Sequence, residues 1–224
     1  ALPRRGDDVG DLGRLERSIG PIEASLDLLR DLPGRLRANN FCGTAVMSGD
    51  RLIDFEPGNT EAANFAVALD IGTTTLVGVL LDLAAGVERA VTSRLNPQTC
   101  FGDDVLSRIV HAQRGPEGLE GLRRAIIQAL DEMIGELTQE AAACRETVYQ
   151  IVMAGNTTMQ QLVCGIDPRS LGEVPFVSTL QQGLALPAAD LGLHVHPRAL
   201  ARVMPVIGGF VGGDTVAGIL ATRL

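Results

Sequence analysis

The chain has no lysine and no tryptophan, one tyrosine (Tyr149), and aromatic residues make up only 3% of its 224 residues. Each shortage removes a class of function. Without lysine there is no GxxxxGK[ST] phosphate loop and no amine for Schiff-base catalysis. With few rings and a formal net charge of −8, the chain lacks both the basic surface and the stacking platforms that nucleic-acid binding uses. No stretch approaches the ~20 uncharged apolar residues of a membrane span. The best run, Leu76 to Val87, is short and contains Asp82. The opening ALPRRGDDVG carries no apolar segment of the secretory type. Neither a nucleic-acid nor a membrane partner is expected.

What is present is a globular composition, 46% hydrophobic and 21% charged, with all 19 basic residues being arginine. The four cysteines, Cys42, Cys100, Cys144 and Cys164, form no CxxC pair. That spacing predicts neither a zinc nor an iron–sulfur site, and it suits a reducing, cytoplasmic compartment.

Residues 1 to 60 differ in character from the rest. The spacing predicts helices over Leu12 to Ser18 and Pro21 to Arg37, the second with Ile22, Leu26, Leu29 and Leu32 on one face and an interruption at Pro33-Gly34. Thr44 to Met47 and Arg51 to Phe55 flank Ser48-Gly49-Asp50 as a β-hairpin, and Glu56-Pro-Gly-Asn-Thr is linker-like. This makes a small α+β segment. From residue 61 onward the pattern is α/β. Phe65 to Asp70, Leu76 to Leu83 and Glu88 to Leu95 form a predicted meander, followed by a helix to Gln113 capped by Asp103-Asp104 and a longer one over Leu119 to Ala142. A strand over Val148 to Met153, a helix over Thr157 to Cys164, an irregular stretch at 170 to 200, a strand over Val203 to Ile207 and a helix over Thr215 to Arg223 follow. The order βββ-α-β-α-β-α implies a mixed sheet with helices on both faces.

The chemistry concentrates in Leu69-Asp70-Ile71-Gly72-Thr73-Thr74-Thr75. An acid ends a strand, a glycine permits a tight turn, and three hydroxyls follow. Backbone N–H groups and threonine hydroxyls can donate to phosphate oxygens, and Asp70 can hold Mg²⁺ through water. An ordinary polar hairpin turn is the alternative. His194-Val-His196 would put two imidazoles on one face if extended, but two ligands do not complete a zinc site, and a surface turn is expected there.

The segments AVALDIGTTTLVGVLLDL, LNPQTCFGDDVLSRI, MAGNTTM and GGFVGGDTVAGILAT, in this order over residues 65 to 224, resemble the ATP-dependent reductive activators of corrinoid proteins. These are a branch of the actin, sugar-kinase and heat-shock chaperone ATPase superfamily. The resemblance implies a ribonuclease H-like, actin-like first lobe over residues 61 to 224, preceded by the end of a middle domain and a linker. It further implies ATP and Mg²⁺ as ligands, a corrinoid protein as partner, a homodimer, and return of cobalt(II) corrinoid to cobalt(I). By position, Asp70, Gly72, Thr73, Thr74 and Thr75 match the first phosphate loop, and Gly212, Gly213 and Asp214 match the start of the closing helix. Asp214 is thereby the candidate for positioning water or Mg²⁺, with a helix cap as the alternative. Asn156 and Thr157 are candidates for the cleft, again with capping as the alternative. Asn96, Gln98, Asp103 and Asp104 would contact the partner or a moving lobe.

The resemblance also implies parts that this sequence does not contain: a cysteine-rich iron–sulfur domain on the N-terminal side and a second ATPase lobe with its own phosphate loop. The chain is therefore expected to be a fragment, carrying half of an ATP site and inactive alone. Two other readings compete: a small-molecule kinase of the same superfamily, and a non-enzymatic interaction module.

Overall fold

A computed structural model describes residues 2–224. The chain divides into two units, 1–64 and 65–224.

The first unit contains α1 (Asp11–Ile19), β1 (Glu23–Ala24), α2 (Leu26–Ala38), β2 (Gly43–Ser48) and β3 (Arg51–Pro57). The expected hairpin is present as antiparallel β2 and β3, and β1 adds to β3 in parallel. Two expectations for α2 are corrected. Ser25 caps the helix by accepting from the Leu28 N–H, so the buried stripe is Leu28, Leu32 and Leu36, while Leu26 and Leu29 are exposed. Pro33 does not interrupt the helix; it lies inside it, with its ring exposed. Packing of Leu32 and Leu36 against Phe55, and of Leu28 against Ile22 and Leu52, outweighs the lost backbone hydrogen bond.

The second unit is α/β. The strands β4 (Phe65–Ile71), β5 (Thr75–Asp82) and β6 (Val87–Leu95) form the antiparallel meander. Then come α3 (Val105–Ala112), α4 (Pro116–Glu140), β7 (Val148–Gly155), α5 (Thr157–Val163), β8 (Leu184–Pro187), α6 (Ala188–Leu191), β9 (Leu200–Val203) and α7 (Gly213–Thr222). The mixed sheet has the order β6-β5-β4-β7-β9-β8, with β7 parallel to both β4 and β9. Its core is carried by α4, whose Leu122, Ile126, Leu130, Met133, Ile134 and Leu137 are fully buried. Each such side chain contributes about 1.5–3 kcal/mol. Among the described residues no helix is long and apolar enough to cross a membrane.

The stretch at 170 to 200 is less irregular than expected. It holds the edge strand β8, antiparallel to β9, and the single turn α6. The last strand is also displaced, since β9 covers Leu200–Val203 rather than Val203 to Ile207. Pro205 has no N–H to give to a ladder, so pairing stops before it. The two histidines separate: His196 is buried and stacks on Tyr149, with ring centroids 4.9 Å apart, while the exposed His194 lies 3.2 Å from the Asp131 carboxylate.

Candidate functional site

The parallel register of β4 and β7 sets Asp70 opposite Ala154 and Ile71 opposite Gly155. Both strands therefore end at the same edge of the sheet, and their following turns lie side by side. Carboxyl ends of parallel strands are where open α/β sheets take ligands.

The first turn is Gly72 to Thr74. A Cβ at Gly72 would collide with the Thr75 carbonyl oxygen, so only glycine closes this turn. Thr74 and Thr75 are exposed, and Thr73 is partly buried. The second turn is Asn156, which accepts from the Met159 N–H as the cap of α5 (3.0 Å) and donates through Nδ2 to Thr73 Oγ1 (2.9 Å). Asn156 is thus both a cap and a tie between turns. Because Thr73 Oγ1 accepts from Asn156, its own O–H is left to donate to a ligand oxygen.

The third piece is the segment before α7. Gly212 lies so close to the second turn that a Cβ would sit 2.5 Å from Asn156 Cα and from the Gly155 carbonyl oxygen. Gly213 is buried and donates its N–H to Gln160 Oε1 (3.0 Å). Gln160 Nε2 in turn donates to the Met204 carbonyl (2.7 Å). Thr157 is also buried; its hydroxyl donates to the Gly208 carbonyl (2.9 Å) and holds this segment rather than opening to solvent. The sequence had offered capping as the alternative role for Asp214; Gly212 occupies the cap position itself, but Asp214 Oδ1 accepts from the Thr215 N–H (2.7 Å) and so satisfies one of the free donors at the start of α7. Asp214 stands in the first turn of α7, exposed, where a carboxylate suits the helix dipole.

Asp70 and Asp214 come close enough to interact. Partial desolvation, and then the Asp214 charge, push the Asp70 carboxyl above the ordinary range. Among the described residues neither acid has an ion-pair partner within 4.0 Å. Two oxygen donors that repel one another beside a row of hydroxyls suit a hydrated divalent cation, which would relieve the repulsion. No group of three or more His, Cys, Asp or Glu suited to a metal is present among the described residues.

Behind the first turn lies a layer whose part sequence reasoning missed. Asn96 and Gln98 are buried, not positioned for a partner. Asn96 Nδ2 donates to the Gly72 carbonyl (2.8 Å), and Gln98 Nε2 to the Leu122 carbonyl (3.0 Å). Arg108, fully buried on α3, donates to the Thr73 carbonyl (2.6 Å). Asp104 caps α3 through a reciprocal pair with Ser107. The only signal for Arg108 was its place on the face of α3 that also carries Ile109 and Ala112.

Residues 65–224 match the model for the RACo middle region, and residues 1–62 that for the RACo linker region. The chain belongs to the RACo family. It is similar to the corrinoid activation enzyme RamQ of Eubacterium limosum, 40% identical over 176 residues, which cover 78% of this chain and 30% of that protein. A solved structure titled as a reductive activator for corrinoid, iron–sulfur protein covers 100% of this chain at 33% identity, with a TM-score of 0.93. This RACo-family chain spans 37% of the length of that structure's chain, so about a third of each relative.

Proposed function

We propose that this RACo-family chain carries half of the ATP site of a reductive activator that returns cobalt(II) corrinoid proteins to cobalt(I). In this reading residues 61–224 are the first lobe of an actin-like ATPase domain, and residues 1–60 are the end of a middle domain with its linker. The observation that carries it is the convergence of the β4–β5 turn, the β7–α5 turn and the start of α7 on one sheet edge, with the charge of Asp214 acting on Asp70. The family match and the likeness to RamQ support the corrinoid partner.

Each residue then has a task. The N–H groups and hydroxyls of Thr73, Thr74 and Thr75 cradle phosphate oxygens, with Thr73 oriented by Asn156. Asp70 and Asp214 would hold Mg²⁺, which would supply neutralisation of phosphate charge. Asp214 also orients the water that attacks the terminal phosphorus, releasing ADP and phosphate. Gly212 and Gly213 bring α7 close, and Thr157 fixes the approach to it. The single electron that reduces cobalt comes from an iron–sulfur cluster outside these residues, and ATP-driven closure of two lobes couples to it. Exposed Ile207, Phe210, Ile219 and Leu220 suit a surface that a second lobe or a second copy covers. The unpaired cysteines suit a cytoplasmic setting.

Asp70→Asn in the full-length protein tests this reading. ATP-dependent formation of the cobalt(I) absorption band should be lost while the iron–sulfur spectrum is unchanged. Undiminished ATP dependence would overturn the assignment of the site. A phosphorylated acceptor in place of free phosphate would favour a kinase.

A further inference from the structure

The helix α3 buries an arginine beside Ile109 and Ala112 while leaving two large apolar side chains in solvent. Its Leu106 and Val110 are more than half exposed, at 58% and 57%, while Arg108 between them is completely buried. Burying a guanidinium is costly unless its N–H groups are satisfied and its charge is balanced. The first condition is met. Nε donates to the Gly102 carbonyl (3.0 Å), Nη1 to Gln98 Oε1 (3.2 Å) and towards Met159 Sδ (3.1 Å), and Nη2 to the Thr73 carbonyl (2.6 Å). The second is not. Among the described residues no carboxylate lies within 4.0 Å of Arg108; Asp103 and Asp104 act on it only from a distance, and both are exposed. Every contact it makes is to a neutral acceptor, and one of those acceptors belongs to the turn that faces the ligand.

We propose that Arg108 is a positioning residue whose unbalanced buried charge is completed by the ligand: it sets the Thr73 carbonyl from behind and supplies a positive field through the turn to the polyphosphate on the other side. This rests on the nucleotide reading of the site above. Charge held in a dry interior acts over several ångströms with little screening. The same field makes the turn select for anionic ligands, so discrimination between a nucleotide and its nucleoside depends on a residue that touches neither. The Asn96 bond to Gly72 and the Asn156 bond to Thr73 shape the turn without adding charge.

The experiment uses the full-length protein and three versions of position 108: Arg, Arg108→Lys and Arg108→Gln. Affinity is measured for Mg-ATP by titration calorimetry and for adenosine by competition. Arg108→Gln removes the charge, and its amide, ending where Nε of the arginine lies, keeps a donor for the Gly102 carbonyl only. It should weaken Mg-ATP by roughly tenfold or more, tenfold being the size expected for one charge about 12 Å from another in a medium of effective dielectric ~20. Adenosine should be unaffected, and Arg108→Lys should restore most of the Mg-ATP affinity. If Lys fails as badly as Gln, or adenosine weakens as much as Mg-ATP, Arg108 merely shapes the turn and the proposal is overturned. If the unsubstituted protein binds no Mg-ATP, the nucleotide reading itself falls, and this inference with it. Should Arg108→Gln not fold, Met159→Glu gives the same answer with Arg108 in place, by setting a carboxylate beside Nη1. Met159→Gln is its neutral partner. Mg-ATP should bind more weakly to the Glu variant than to the Gln variant, and equal affinities would overturn the proposal.

Discussion

Asp70 is the residue on which the site's electrostatics turn. Its carboxyl holds a proton more tightly in the folded chain than at its ordinary value of 3.8, first because it is partly desolvated and then because Asp214 is near. Ionisation of Asp70 therefore opposes folding. The fold is spared this penalty below the unfolded value and loses stability as pH rises through the higher folded value. Asn imitates the protonated acid. Asp70→Asn should accordingly raise the Tm at pH 7 in metal-free buffer and leave it unchanged near pH 3. The gain should be modest, roughly 1–2 °C, because both carboxylates are exposed and their repulsion is well screened. Millimolar Mg²⁺ should shrink it by stabilising only the unsubstituted chain. Calorimetric scans at the two pH values check this, and a lower Tm for the variant at pH 7 would show that the carboxylate is stabilised in place, not strained.

At the scale of elements, α2 offers the cleanest test of packing against propensity. Pro33 leaves the carbonyl four residues back without its helical donor, yet the helix continues because Leu28, Leu32 and Leu36 are buried along one face. Pro33 is exposed, so Pro33→Ala changes the backbone and little else. It should stabilise the first unit by about 1–2 kcal/mol, less than the full helix-interior penalty because alanine also loosens the unfolded chain. Urea unfolding followed by circular dichroism would reveal it; a loss of stability would mean that the exposed proline ring contributes packing of its own. The same contrast explains what was legible in the sequence. The meander and α4 were legible because their periods persist for many residues, and Asp70 to Thr75 stood out because an acid, a glycine and three hydroxyls fall at a strand end in a chain that goes on to alternate strands and helices. The helix stripe of α2 was misplaced because Ser25, not Pro21, begins the helix. Strand β8 escaped and β9 was displaced because four-residue strands are defined by their neighbours, and only Pro205 marked where pairing stops. Arg108 escaped because an arginine in an eight-residue amphipathic helix looks like a solvent-facing residue until the acceptors at Thr73, Gln98 and Gly102 are seen.

At the scale of the molecule, the chain has separate cores. Ile22, Leu28 and Leu52, with Leu32, Leu36 and Phe55, serve the first unit, whereas the sheet and α4 serve the second. Every residue assigned to the ligand lies at or beyond Asp70, in the second unit. The connection at Pro57 to Ala62 is largely exposed, and Glu61 within it is accessible to a glutamyl endopeptidase. Cleavage there should release a fragment beginning at Ala62 that keeps its cooperative unfolding. If the site belongs wholly to the second unit, that fragment should bind Mg-ATP within about twofold of the uncut chain, since no liganding group has been removed. Both should bind weakly and release no phosphate above background, because positioning groups on one side alone do not assemble a phosphoryl-transfer site. Equilibrium dialysis with Mg-ATP, before and after digestion, measures the comparison directly. A marked loss of affinity in the fragment would transfer part of the site to residues 1–61. Turnover by the fragment that Asp70→Ala abolishes would instead make the second unit a complete catalyst, and the two-lobe account would have to be abandoned.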